Sequence, residues 1–208
     1  ESALDARLVR ELTANANRDM ANVMGTLLPR LMERTSRYDL TPEQQDNIPL
    51  ASALHDIGKM SIDDAILNKP GRLTPEEFEI MKTHTTIGAD MLLELGSHHA
   101  GNALMEYAYQ IARWHHERWD GNGYPDGLKG DEIPMTVQAV GLVDAYDSLV
   151  SQRVYKPAYT HAEALAMIRG GECGAFDPLL VDCLEDIQSA LCREVYGMRG
   201  KAVSYTHL

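Results

Sequence analysis

An all-α fold is what this sequence predicts, on three observations: helix-start signals recur, apolar residues repeat at helical spacing, and alternating strand patterns are nearly absent. From about Ala3 to Met32 the chain reads as one long helix. Thr41-Pro42-Glu43-Gln44 then opens a second helix, with a Thr cap three residues before a Gln that reaches back to it and a Pro at the first helical position. Ile48, Ala51, Leu54 and Ile57 continue it at helical spacing, and Gly58 is placed to end it. Asn68 to Leu73 reads as a loop, after which Thr74-Pro75-Glu76-Glu77 repeats the capping signal and carries a helix through His84. The Gly/Pro-rich stretch Asp120 to Pro134 is a second loop. Val137, Val140, Val143, Ala145 and Leu149 define an apolar helix, and Thr160-His161-Ala162-Glu163 and Asp177-Pro178 start two more. The sum is a bundle of about seven helices.

The chain has 208 residues, 44% hydrophobic and 24% charged, enough for one good core and a short extra segment. Residues 1–40 read as an N-terminal helix that links to an upstream sensor or receiver, residues 41–197 as the main domain and 198–208 as a loose tail. A formal net charge of -12 excludes a dedicated duplex nucleic-acid binder, which needs a basic surface. Cys173, Cys183 and Cys192 lack CxxC spacing and suggest neither a disulfide framework nor a thiolate zinc site, so a cytoplasmic setting fits. No apolar run in the fragment is long enough to span a bilayer, although the longer protein is compatible with a membrane tether.

His115-His116 stands out, because adjacent imidazoles precede a Gly/Asn/Pro-rich loop. His55-Asp56, His84 and Asp144 share that chemistry, Asp144 lying in a helix so apolar that an ionised carboxylate there needs a partner or a cation. His98-His99, an equal pair beside Gly96 and Gly101, reads as an interhelical turn, and His161 and His207 as a helix start and a tail residue. Imidazole and carboxylate ligands without thiolate suit Fe, Mn, Ni or Zn, and two such ions clamp a phosphodiester while activating water. Arg153 and Lys156 follow as a fork and a point charge for phosphate, and Lys59 is a third candidate cation.

The combination of His55-Asp56-Ile57-Gly58-Lys59, Lys69-Pro70-Gly71, Met81-Lys82-Thr83-His84, the run His115 to Gly130 with Gly123-Tyr124-Pro125, and Asp144-Ala145-Tyr146-Asp147 resembles the HD-GYP subgroup of the HD-domain phosphohydrolases, over residues 46–190. The resemblance implies an HD-domain-like helical bundle with two or three divalent ions between its helices, Fe or Mn first and Ni or Zn compatible. It implies hydrolysis of cyclic di-GMP to pGpG and, in some members, to GMP. Carried over by position, His55, Asp56, His84, His115, His116 and Asp144 are metal ligands with Asp56 the bridge. Lys59 contacts the scissile phosphate or its water, Arg153 and Lys156 hold substrate phosphates, and the Tyr124 loop shapes the site and its partner contacts. The resemblance also suggests GGDEF-type proteins as a partner class, and the N-terminal helix is a candidate homodimer surface.

The chain departs from the subgroup where a further ligand His is usual on the first helix. Here the sequence runs Arg18-Asp19-Met20-Ala21-Asn22-Val23-Met24, leaving Asp19 and Asn22 as substitutes. Gln138 stands where Arg is common. Two other readings stay open: a degenerate domain that binds cyclic di-GMP or a GGDEF-type partner without turnover, and an enzyme for another cyclic dinucleotide.

Overall fold

The computed structural model describes residues 18–97, 102–151 and 158–194. Their order is α1 (Arg18–Arg34), α2 (Pro42–Ser52), the one-turn α3 (Asp64–Leu67), α4 (Pro75–Lys82), α5 (His84–Ser97), α6 (Ala103–Trp114), α7 (Met135–Val150), α8 (His161–Arg169) and α9 (Pro178–Glu194), with 3-10 turns at Ser36–Tyr38, Ile57–Ser61 and Gly130–Glu132. Apart from one isolated bridge between Glu172 and Gly174, no β pairing occurs among the described residues. The all-α expectation holds. Residues 1–17, the tail from 195 and the His98-His99 pair lie outside the described residues.

The local signals read from the sequence are the ones that start the helices. Thr41 with Gln44, Thr74 with Glu77 and Thr160 with Glu163 each form a reciprocal capping box. Such a box satisfies two backbone N–H groups that a helix start otherwise leaves orphaned. The Asp177 carboxylate accepts from the Leu179 N–H at the start of α9, and Asn102 does the same for Leu104 at the start of α6.

α7 is buried on almost every side, since Val137, Val140, Leu142, Val143 and Tyr146 leave it no continuous polar face. It packs against α1, α6, α8 and α9. α1 adds Met24, Leu27, Leu28 and Leu31, all essentially without solvent contact, and α9 adds Leu180, Leu184 and Leu191. Burying each of these side chains contributes about 2 kcal/mol. Arg34 pairs with Asp186 at 2.6 Å between α1 and α9, but both groups are more than a third exposed and the pair adds little. α6 in turn carries α5 and α2, and α2 also packs on α1.

Two boundaries differ from the sequence reading, and both differences matter for the site. α2 ends at Ser52 rather than at Gly58. Beyond it Leu54, His55 and Ile57 each donate their N–H three residues back, so the chain tightens before entering the 3-10 turn at Ile57. The helix begun at Thr74 breaks at Thr83, whose hydroxyl and N–H both turn back to the Ile80 carbonyl, and α5 restarts at His84. Both breaks put a histidine at the margin of a helix, where its direction is set by the turn.

Tyr38 ties the first 3-10 turn to α9 by donating its hydroxyl to Asp177 Oδ2 at 2.7 Å, both residues being buried. Tyr38→Phe is expected to cost about 2 kcal/mol in urea denaturation, the value of a hydrogen bond to a buried charged acceptor.

Candidate metal centre

Four structural elements deliver the candidate ligands to one place. His55 and Asp56 come from the tightened turns after α2, His84 from the first residue of α5, His115 and His116 from the C-terminal end of α6, and Asp144 from the middle of α7. His55, His84 and His115 are buried. Their orientation is set locally. His55 Nδ1 lies 2.8 Å from the Ser52 carbonyl, His84 Nδ1 2.7 Å from that of Met81, and His115 Nδ1 2.9 Å from that of Ile111. A carbonyl accepts only, so each Nδ1 carries the proton and each Nε2 points away from its own turn.

Those Nε2 atoms meet the carboxylates. His55 Nε2 is 3.3 Å from Asp56 Oδ2 and 3.6 Å from Asp144 Oδ1. Asp56 Oδ1 is 3.4 Å from His84 Nε2 and 3.8 Å from His115 Nε2, and the latter two nitrogens are 3.4 Å apart. His116 packs its ring against His115 at a centroid distance of 4.0 Å, and its ligand nitrogen lies with those of His84 and His115 within 4.8 Å of one another. Asp56 Oδ1 is buried with no hydrogen-bond donor. Lys59, on the 3-10 turn, donates to the other oxygen of Asp56 at 2.5 Å.

The electrostatics follow from this crowding. Burial, and then the charge of His55, lower the pKa of His115 to about 3. Burial likewise holds His84 and His116 below the ordinary imidazole range. Burial also opposes a charge on His55, but the facing carboxylates of Asp56 and Asp144 outweigh it and raise its pKa to about 10. Burial works against both carboxylates as well. His55 reverses this and holds them below the usual range, with Lys59 helping at Asp56. The pocket thus sets the neutral imidazoles of His84, His115 and His116 beside the anionic oxygens of Asp56 and Asp144, with a proton on His55 that a divalent cation can displace, a donor set that fits one or more such cations.

Glycine permits two backbone approaches around this pocket. A Cβ on Gly58 would stand 2.0 Å from the His84 carbonyl oxygen and 2.6 Å from the Gly88 nitrogen, so the His55-Asp56 turn reaches α5 only without a side chain there. A Cβ on Gly123 would meet Arg118 N and Glu117 Cα at 2.4 Å, which presses the Tyr124 loop onto the chain that follows His116. Tyr124 donates its N–H to the His116 carbonyl and lays its ring 4.7 Å from that of His116.

Sequence reasoning missed the residue that holds this loop. Glu117 is buried, and its carboxylate accepts the N–H groups of Asp126, Gly127 and Leu128 at 2.7, 3.1 and 2.9 Å. Its sequence signal was an acid between a His pair and a glycine-rich loop, whose backbone donors need an acceptor when buried. Arg118 joins it, donating to the carbonyls of Cys173, His115 and Glu117 and lying 5.0 Å from the Phe176 ring centroid.

Of the residues singled out in the sequence, His55, Asp56, His84, His115, His116 and Asp144 are brought together, with Lys59 and Tyr124 beside them. Arg153 and Lys156 lie outside the described residues, as does the side chain of Asp19. Asn22 is on the exposed side of α1. His161 pairs with the Tyr146 hydroxyl at 2.6 Å between α7 and α8. Gln138 donates to the Ile133 and Gly130 carbonyls and so braces the far end of the loop.

A family model described as HD domain matches residues 7–180. A protein of Vibrio cholerae named cyclic di-GMP phosphodiesterase is 45% identical over 143 residues, which is 69% of this chain and 29% of that protein. One of Thermotoga maritima with the same name is 44% identical over 144 residues, 69% of this chain and 38% of that protein. The chain therefore spans about a third of the length of the curated relatives it matches. Among solved structures, a cyclic GMP-AMP specific phosphodiesterase of V. cholerae superposes with a TM-score of 0.60 at 20% identity, over 95% of this chain and 51% of that one. It bears out the fold.

Two outcomes are expected of the centre. Chelation with EDTA lowers the Tm by a few degrees and a divalent cation restores it, because the cation relieves facing acceptors in the folded state alone. Gly58→Ala costs about 3 kcal/mol in urea denaturation, the overpacking range, and lowers metal content measured on the purified variant.

Proposed function

The chain belongs to the HD-domain family, and on that premise we propose that it is a metal-dependent phosphodiesterase hydrolysing cyclic di-GMP to linear pGpG. The observation that carries the reading is the convergence of imidazole Nε2 atoms on Asp56 Oδ1, a buried carboxylate oxygen with no donor of its own. The relatives named cyclic di-GMP phosphodiesterases support the substrate.

In this reading His55, Asp56, His84, His115, His116 and Asp144 would hold two divalent ions, Fe or Mn, Asp56 serving as the carboxylate ligand common to both. Bound there, the ions supply the Lewis acidity that activates water at neutral pH and offsets phosphodiester charge. The protein's own groups do the rest. Lys59, held at 2.5 Å from Asp56, presents an ammonium to the non-bridging oxygens of the scissile phosphate, whose charge rises in the transition state. Tyr124 borders the pocket beside His116 and limits how the reacting phosphate sits. Arg153 and Lys156 take the second phosphate of the substrate. Without local cations a chain of net charge -12 repels an anionic dinucleotide, and Lys59 beside Asp56 offsets that field at the pocket.

The test is anaerobic purification with Fe or Mn, followed by metal counting and cyclic di-GMP turnover on one sample. The expected result is two metals per chain and pGpG as product. Binding of cyclic di-GMP with no product under full loading would make the domain a receptor instead. Asp56→Ala abolishes turnover and lowers metal content together, while Lys59→Ala lowers kcat by about a hundredfold at unchanged metal content. Parent-level turnover in Asp56→Ala would remove the bridging role.

A further inference from the structure

Phe78, on the solvent side of α4, is 46% exposed although it is among the largest apolar side chains of an acidic protein. Its ring meets the Tyr124 ring edge to face, with centroids 6.2 Å apart and planes at 84°. Tyr124 in turn lies 4.7 Å from His116. Three rings thus run without a break from solvent to the candidate ligands. Lys82, one helical turn beyond Phe78, holds its Nζ 5.6 Å from the Phe78 centroid and 5.7 Å from that of Tyr124. The same Nζ is 2.7 Å from Glu79 Oε1, but Glu79 is 69% exposed, so the pair is weakly held and Lys82 is free to exchange it.

We infer that Phe78 and Lys82 form the nucleobase site of this centre, Phe78 stacking on a guanine whose phosphate occupies the metal pocket and Lys82 donating to that guanine's edge. The inference rests on the phosphodiesterase reading. An aromatic face at the rim takes any base by stacking. The ammonium beside it makes the choice, because guanine offers the O6 and N7 acceptors on one edge, whereas adenine places an amino donor where O6 would be. Charge complementarity points the same way, since a cation at the mouth of a site for an anionic ligand serves on approach as well as in place.

Phe78 and Lys82 are positioning and specificity residues, and the test separates them from merely structural ones. Steady-state kinetics on the metal-loaded chain use cyclic di-GMP and cyclic di-AMP. Fluorescence uses a cyclic dinucleotide carrying 2-aminopurine, which is quenched on stacking. Phe78→Ala is expected to raise KM for cyclic di-GMP about tenfold with kcat within about twofold, and to lose the quench, while Phe78→Tyr restores both. Lys82→Met narrows the preference for cyclic di-GMP over cyclic di-AMP about tenfold. An unchanged KM and quench in Phe78→Ala would overturn the inference and leave the wall as a surface for a protein. Should the parent chain quench the probe through Phe78 yet turn over neither dinucleotide, the base site stands and the phosphodiesterase reading falls.

Discussion

The structure depends on a set of acceptors that face one another. Asp56 Oδ1 has no donor, and the Nε2 atoms nearest to it belong to His84 and His115, whose protons are committed to Nδ1. Such an arrangement is unfavourable in a metal-free interior, and the facing carboxylates of Asp56 and Asp144 raise the His55 pKa to about 10 against the cost of its burial. Packing of the helices onto α7 is what holds these groups in opposition. The core therefore does more than exclude water: it keeps repelling groups near enough for a cation to bridge them.

Close backbone contact provides the precision. The His55-Asp56 turn touches α5 at Gly58, and the Tyr124 loop touches the segment after His116 at Gly123, each with room for hydrogen only. Glu117 then gathers three loop N–H groups onto one carboxylate, so the wall beside the pocket is fixed from below. These contacts link stability to loading, because a shift that relieves any one of them also opens the ligand set.

Much of this was legible in the sequence because its signals are local. Thr41, Thr74 and Thr160 announce their helices through residues three positions away, and the structure forms all three capping boxes. The ligand residues were legible through their types, as imidazole pairs and an acid in an apolar helix. What the sequence did not reveal depends on contacts that its residue spacing does not announce. The helix break at Thr83 looks like continuous helix until the side chain's turn to Ile80 is seen. Glu117 reads as an ordinary charge until the loop folds over it. Gly58 reads as a helix terminator, whereas its lack of a side chain serves a contact with α5, far along the chain.

His55, His84 and His115 each take their direction from a carbonyl three or four residues earlier in their own turn. Aim is thus encoded segment by segment and does not rely on the neighbouring ligands. Each of these three imidazoles keeps its direction without a second imidazole to steer it. The chain has no histidine before His55, and the aim of these three imidazoles does not call for one.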